Sequence, residues 1–375
     1  MHIVVNTRML IPGKLDGIGW FAHEVLQRIT QEMPDVQFTF LFDRPFDPQF
    51  IYGPNVKGKV LFPPARHPLL YRWYFGVSVP LALKSLKPDL FFSPDGFLCL
   101  SSSVKQIPVI HDINFEHRPQ DLPKAYSNYY RSFFKRFALK AEEIITVSEY
   151  SANDIASFYK VDRSKIHVAY NGANEAYMPI DAAEKTKIKQ EISNGDDYFV
   201  FVGNFSYRKN IHGIVKAFDD YKKKGGLAKL VLVGNPLWRY KEMNEALGAT
   251  AFEKEIVFAG HLELSKLVKV VAAANALVFP SYFEGFGIPI VEAFRSGVPV
   301  ITANTTSLPE VAGNAALIAD PDDFEKISNY FFEIETNENQ RFKLIQNGFK
   351  RAELFRWQNT ANKVKSVLLN TLNNL

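Results

Sequence analysis

Short runs of apolar residues, each followed by a longer stretch with apolar positions at helical spacing, recur along the whole chain. This rhythm predicts βα units built around parallel sheets, and therefore the α/β class. In the first half the runs predict strands at residues 2–6, 38–42, 60–62, 89–93, 109–111, 144–147 and 167–169, with helices over 19–30, 71–86, 126–141 and 151–159. After Asn171-Gly172 a polar, lysine-rich stretch runs to about Asp197, and the continuous apolar run Tyr198 to Gly203 then begins the rhythm again. Further strands are expected at 229–233, 256–258, 276–279, 298–302 and 316–318. The pattern divides the chain into residues 1–178, 179–355 and a final helical segment, 356–375, with room to pack back on the first domain. Residues 170–179 are the hinge candidate. Two open, doubly wound sheets of this kind bind ligands at the carboxyl ends of their strands, so an interdomain cleft is the expected site.

A chain of 375 residues with 47% hydrophobic content is long enough for two cores. Its formal charge of +4 suits an anionic substrate or membrane surface and falls short of a nucleic-acid footprint, so no nucleic-acid partner is expected. The single cysteine, Cys99, rules out an intrachain disulfide and cysteine-built metal centres. The first residues read as a buried strand and not as a signal peptide, and no run of 18 apolar residues occurs. The expected location is the cytoplasm, either free or peripheral at the inner face of the cell membrane.

The most informative segment is Phe279-Pro280-Ser281-Tyr282-Phe283-Glu284-Gly285-Phe286-Gly287-Ile288-Pro289-Ile290-Val291-Glu292, a buried strand joined to a helix through a glycine-rich turn. Pro289 suits the first helical turn, and the glycines let a ligand approach the backbone. Amides around Phe286, Gly287 and Ile288, backed by the positive helix end, suit a diphosphate. Glu284 before the helix and Glu292 in its second turn then reach opposite ends of an elongated ligand. A nucleotide sugar fits, with Glu284 accepting from the transferred sugar and Glu292 from the ribose hydroxyls.

This Glu-Gly-Phe-Gly-x-Pro-x-x-Glu arrangement, with seven residues between the acids, resembles the signature of glycosyltransferase family 4, retaining enzymes of the GT-B fold with two Rossmann-like domains. A solvated loop acid and a surface helix acid are the alternative reading of the pair. The resemblance implies a retaining, metal-independent hexosyltransferase with no cofactor and no resident metal, acting on a nucleoside-diphosphate sugar. Transfer would proceed by same-face attack, the departing phosphate assisting deprotonation of the acceptor hydroxyl.

Other segments join this reading. Val202-Gly203-Asn204-Phe205-Ser206-Tyr207-Arg208-Lys209 follows the first strand of the second half, where two cations can neutralise a diphosphate. Arg208 and Lys209 resemble the family's donor-phosphate pair. Asn204 stands where many members carry an arginine, which weakens that one contact. The turn Gly13 to Gly19 resembles the family's glycine-rich loop, placing Gly17 and Gly19 at the donor phosphates, although a tight turn also explains it. His111 follows an apolar strand and, by resemblance, contacts the transferred sugar. Leu262, in Gly260-His261-Leu262, is a base-contacting candidate, and Ser148 is either a donor to the ligand or a helix cap.

The neighbourhoods His111-Asp112 and Ser148-Glu149 resemble those of transferases that build bacterial surface polysaccharides, which favours GDP-mannose over a UDP-hexose as donor and a glycan or lipid-linked acceptor. Residues 126–141 mix aromatic with basic positions and point either to anionic lipid or to an ordinary amphipathic helix on the sheet. A nucleotide-sugar epimerase on the same fold and a non-catalytic nucleotide-sugar-binding protein are the rival readings.

Overall fold

The protein is described by a computed structural model covering residues 1–235 and 240–373. It separates into two compact units: Met1–Gly172 together with the helix Trp357–Asn373, and Ala173–Arg356.

The first unit is built on a five-stranded parallel sheet in the order Val56–Val60, Gln37–Phe42, His2–Asn6, Leu90–Ser93, Lys105–Pro108. Val5 is in register with Phe40 on one side and Phe92 on the other. Ile3, Val4 and Val5 are wholly buried, as a strand covered on both faces requires. A parallel pair, Ile144–Thr146 with Ile166–Val168, continues the sheet through a bridge from Val109 to Ile145. The Gly17–Glu32 helix buries Phe21, Val25, Leu26 and Ile29 and packs against Trp357–Asn373. There Gln358 donates to Glu32 at 2.6 Å and Lys365 pairs with the same carboxylate. Gly172 must be glycine, because a Cβ would lie 2.4 Å from the Trp357 nitrogen.

Three expectations for this unit change. The strand predicted at 60–62 lies at Val56–Val60, because its alternating Lys57 and Lys59 are those of a sheet edge and gave no apolar run. The strand predicted at 109–111 ends earlier, at Pro108, and His111 follows in a loop. The single helix predicted over 71–86 is three pieces: Pro68–Trp73, a wider π turn over Tyr74–Ser78 and Val79–Leu86. Pro80 has no N–H to give and its ring crowds the preceding turn, and the π turn, with Val79 donating to the Tyr74 carbonyl, absorbs the mismatch. The helix Lys124–Lys140 turns Tyr129, Phe134 and Phe137 inward, so those aromatic positions serve packing while its cations face solvent.

The second unit holds a six-stranded parallel sheet in the order Ile256–Gly260, Lys229–Val233, Tyr198–Val202, Ala276–Phe279, Val300–Ala303, Ala316–Ala319. The strand order reverses between Tyr198–Val202 and Ala276–Phe279. Loops leaving adjacent strands at such a reversal diverge and leave a crevice at the carboxyl edge. The lysine-rich stretch before this sheet contains a helix, Ala182–Ser193, capped by Asp181. It was illegible as one because Ile188 is its only large buried residue.

Candidate functional site

Two loops leave the strands flanking the reversal in the second unit. One carries Arg208 and Lys209, the other Glu284. Lys209 donates to Glu284 Oε1 at 2.6 Å, and Arg208 Nη1 lies 3.0 Å from Oε2. Lys209 and Glu284 are both buried. Burial opposes ionisation of Glu284, but Arg208 and Lys209 more than offset it and hold the carboxyl below its usual range. Lys209 Nζ also sits 4.6 Å from the Phe279 ring centre. Two cations share one carboxylate here, so the cluster carries a net positive charge.

The loops are tied to each other by their backbones. Tyr282 N donates to the Arg208 carbonyl at 2.8 Å, and Arg208 Nη1 donates to the Phe283 carbonyl at 2.9 Å. Asn210, in the left-handed region at φ 56°, caps the helix Ile211–Lys223 by accepting from Gly213 N. Its amide nitrogen donates to the carbonyls of Pro280 and Pro321. The Glu284 peptide is gripped on both sides: its N–H donates to Thr306 Oγ1 at 3.1 Å, and Ser307 Oγ donates to its carbonyl at 2.8 Å. These positions were missed in the sequence. Their signal was a hydroxyl cluster, Thr305-Thr306-Ser307, directly after a buried strand.

Beside the cations stands an aromatic and histidine cluster, also missed. Tyr282 donates to Asp322 Oδ1 at 2.5 Å, so its oxygen is left to accept from His212 Nε2 at 3.2 Å. His212 Nδ1 then accepts from the Tyr240 hydroxyl at 3.0 Å. Burial keeps the His212 pKa below the usual histidine value, consistent with this single neutral tautomer. Tyr207 stacks on Tyr282 with ring centres 5.7 Å apart.

Gly287, at φ 103°, precedes the helix Ile288–Arg295, which has no side-chain cap. As a glycine it offers the first turn no capping side chain of its own, and Ile288 is partly exposed. Phe286 is buried and packs edge-on to Phe355. Glu292, one turn further, is partly buried against Tyr177. Burial pushes its carboxyl up to about 7, with a hydrogen bond from the Tyr177 side chain pulling the other way. Asn204 is exposed, and its Oδ1 accepts from Ser206. Leu262 lies just past the strand Ile256–Gly260. Gly203 N donates to the Val233 carbonyl and Gly234 N to the Gly260 carbonyl, which links three strand ends into one floor.

In the first unit the corresponding reversal lies between His2–Asn6 and Leu90–Ser93. A buried polar network fills it: Asn6 Nδ2 donates to Asp95 at 2.7 Å and Arg8 Nε donates to Asp95 at 2.5 Å. Arg8 lies 4.3 Å from the Phe97 ring centre. His111 Nε2 is 2.8 Å from the Pro94 carbonyl, so Nε2 carries the proton and Nδ1 is the acceptor. Burial holds this ring below the usual histidine pKa and keeps it neutral. Gly17 opens the Gly17–Glu32 helix and is exposed. The amide of Gly19 is already taken by the Asp16 side chain at 2.9 Å, so Gly19 serves the helix cap.

Residues 182–351 match the family model described as glycosyl transferases group 1, and residues 15–177 match that of Glycosyltransferase Family 4. Between them the two models account for most of the chain. An O-antigen chain mannosyltransferase B of Escherichia coli is 28% identical over 357 residues, covering 92% of this chain and 93% of that protein. A sucrose-phosphate synthase from Thermosynechococcus elongatus superposes with a TM-score of 0.80 at 17% identity over 100% of both chains. HepE of Anabaena, solved with UDP-glucose, gives a TM-score of 0.77 at 16% identity over 99% of this chain and 100% of that one.

Proposed function

As the chain belongs to glycosyltransferase family 4 and has the GT-B fold, we propose that this glycosyltransferase moves a mannosyl group, with retention of configuration, from GDP-mannose to a glycan or lipid-linked acceptor of a surface polysaccharide. One observation carries the reading: Arg208 and Lys209 each lie within 3.0 Å of Glu284, three residues before the helix start at Gly287. The mannosyl preference draws on the Escherichia coli relative, a mannosyltransferase by name.

In this reading Arg208, Lys209 and the amides of Phe286, Gly287 and Ile288 hold the diphosphate. Glu284 accepts from hydroxyls of the transferred sugar, and Glu292 from the ribose. His111 offers Nδ1 to a sugar hydroxyl, Gly17 lies along the donor phosphates with Gly19 shaping that turn, and Asn204 and Leu262 border the donor. The bond between the anomeric carbon and the β-phosphate oxygen breaks while the acceptor oxygen bonds to that carbon on the same face. The acceptor proton passes to the departing diphosphate, whose negative charge the two side-chain cations stabilise without a divalent metal. Peripheral contact with the inner face of the cell membrane belongs to the same reading. Among the described residues no helix is long and apolar enough to cross a membrane.

A thermal-shift panel of GDP, UDP and ADP tests the donor site, since a ligand that binds only the native state raises its stability. Stabilisation by GDP above the others is expected. Transfer assays with GDP-mannose, with and without acceptor glycans, test the reaction. An epimer formed without acceptor, or no stabilisation by any nucleotide, overturns the reading.

A further inference from the structure

Half-way along the first unit the chain breaks the ordinary rule for a helix on a sheet. The segment from Pro68 to Leu86 buries Tyr71, Tyr74, Phe75, Val79 and Leu83 on one side. Its other side is apolar as well. Leu69 is 68% exposed, Trp73 57% and Leu81 63%, with Val77 between them and Phe62, 79% exposed, close by in sequence. Scattered exposed hydrophobic residues are normal, but a row spaced every four residues along one element is an interaction surface.

The charge around this row is one-sided. The helix Lys124–Lys140 runs beside it, with Arg72 5.8 Å from the Phe133 ring centre and the rings of Tyr71 and Tyr129 5.4 Å apart. Neither Pro68–Leu86 nor Lys124–Lys140 contains an aspartate or glutamate, while together they carry Arg72, Lys84, Lys124, Arg131, Lys135, Arg136 and Lys140. All seven are exposed. Arg131 faces Glu116, and the others have no ion-pair partner among the described residues. Between the two elements lies a cleft of about 280 Å³ walled by Tyr71, Phe75, Leu98, Phe133 and Phe137.

We propose that this face docks on an anionic phospholipid bilayer, with Phe62, Leu69, Trp73 and Leu81 entering the headgroup and acyl boundary, the six cations other than Arg131 over lipid phosphates, and the cleft taking one acyl chain. The partner class rests on the peripheral-membrane part of the proposed function, and the surface and its chemistry are new. Aliphatic side chains with an interfacial tryptophan and a cationic surround are what an anionic membrane surface selects. A second copy of the same face would set these six cations against their own copies, which disfavours a symmetric dimer. A nucleic acid would use the cations and leave the aliphatic row unpaired.

The test is flotation of the full chain with vesicles of phosphatidylglycerol and phosphatidylethanolamine, compared with phosphatidylcholine. Binding is expected on the anionic vesicles, reduced by high salt and by phosphatidylcholine. W73S/L81S and K135Q/R136Q should each lower the bound-to-free ratio by roughly tenfold or more, with unchanged melting and unchanged stabilisation by GDP. If the unaltered chain stays unbound, membrane contact itself fails. If it floats and W73S/L81S floats equally, membrane contact stands and this surface is wrong. Equal binding to phosphatidylcholine overturns the role of the cations. Light scattering that shows a dimer abolished by W73S/L81S would assign the row to a second copy.

Discussion

Lys209 Nζ lies 2.6 Å from Glu284 Oε1, in a pair buried from solvent and joined from the other oxygen by Arg208. The carboxylate thus engages the two cations that the proposed reading assigns to the donor diphosphate. In that reading an entering donor competes with Glu284 for Lys209 and Arg208 and frees its carboxylate for the sugar.

That competition separates binding from turnover. Glu284→Gln removes a negative charge from beside two cations, so GDP or inorganic pyrophosphate should bind about tenfold more tightly. Lys209→Ala should weaken the same binding by at least that factor. Both substitutions should reduce transfer by about 10²–10³-fold, the usual cost of losing one preorganised electrostatic contact. Calorimetry with the two variants checks the opposite signs, and binding that moves in the same direction for both would count against the shared-site assignment.

Glu292 gives a pH signature. Its carboxyl titrates at about 7 in the native protein instead of the ordinary 4.5. Between these values the native chain holds a proton that the unfolded chain has released. The contribution of Glu292 is therefore full below 4.5 and is lost as the pH rises to about 7, a change of about 3 kcal/mol at most. Glu292→Gln should flatten that slope in urea unfolding measured across the window. If the ionised form accepts from ribose hydroxyls, GDP affinity of the unaltered chain should rise with pH and level off above about 7, and Glu292→Gln should abolish the rise.

Tyr282 connects the cation loop to its supports. Tyr282→Phe keeps the ring stacked on Tyr207 but removes the bonds to Asp322 and His212. A stability loss of about 1–3 kcal/mol is expected from His212, which is buried and loses its acceptor, whereas Asp322 is exposed and turns to water. Nucleotide affinity should fall as well, because the hydroxyl bonds anchor the residue whose amide holds the Arg208 carbonyl. A variant as stable as the original chain would show that the chain of hydrogen bonds contributes little.

Gly234 and Gly13 should respond very differently to alanine. A Cβ at Gly234 would lie 1.8 Å from the Gly203 carbonyl oxygen, with φ at 149°. The strand ends under the site cannot separate without breaking their hydrogen bonds, so Gly234→Ala should cost about 4 kcal/mol or more. Gly13 also has a positive φ, 66°, but faces open space, and Gly13→Ala should cost only about 1 kcal/mol. Thermal melting of both variants checks the contrast.

Periodicity and residue chemistry were enough to place most of the parallel strands, the α/β class and the loop residues Arg208, Lys209, Glu284 and Gly287, because each follows from a local run: an apolar strand, then a polar or glycine-rich exit. The sequence could not show that Lys209 and Glu284 touch. They are 75 positions apart and meet only because the strands before them become neighbours where the sheet reverses. Nor could it show that Asp16 claims the Gly19 amide, that Pro80 forces a π turn, or that Tyr282, His212 and Asp322 form one chain of bonds. The aromatic residues near 126–141 drew attention to a surface, yet packing turned Tyr129, Phe134 and Phe137 inward and left Trp73 and Leu81 outside. Composition and period are written along the chain, whereas which apolar face is covered, and which distant charge meets which, are decided when the strands take their order.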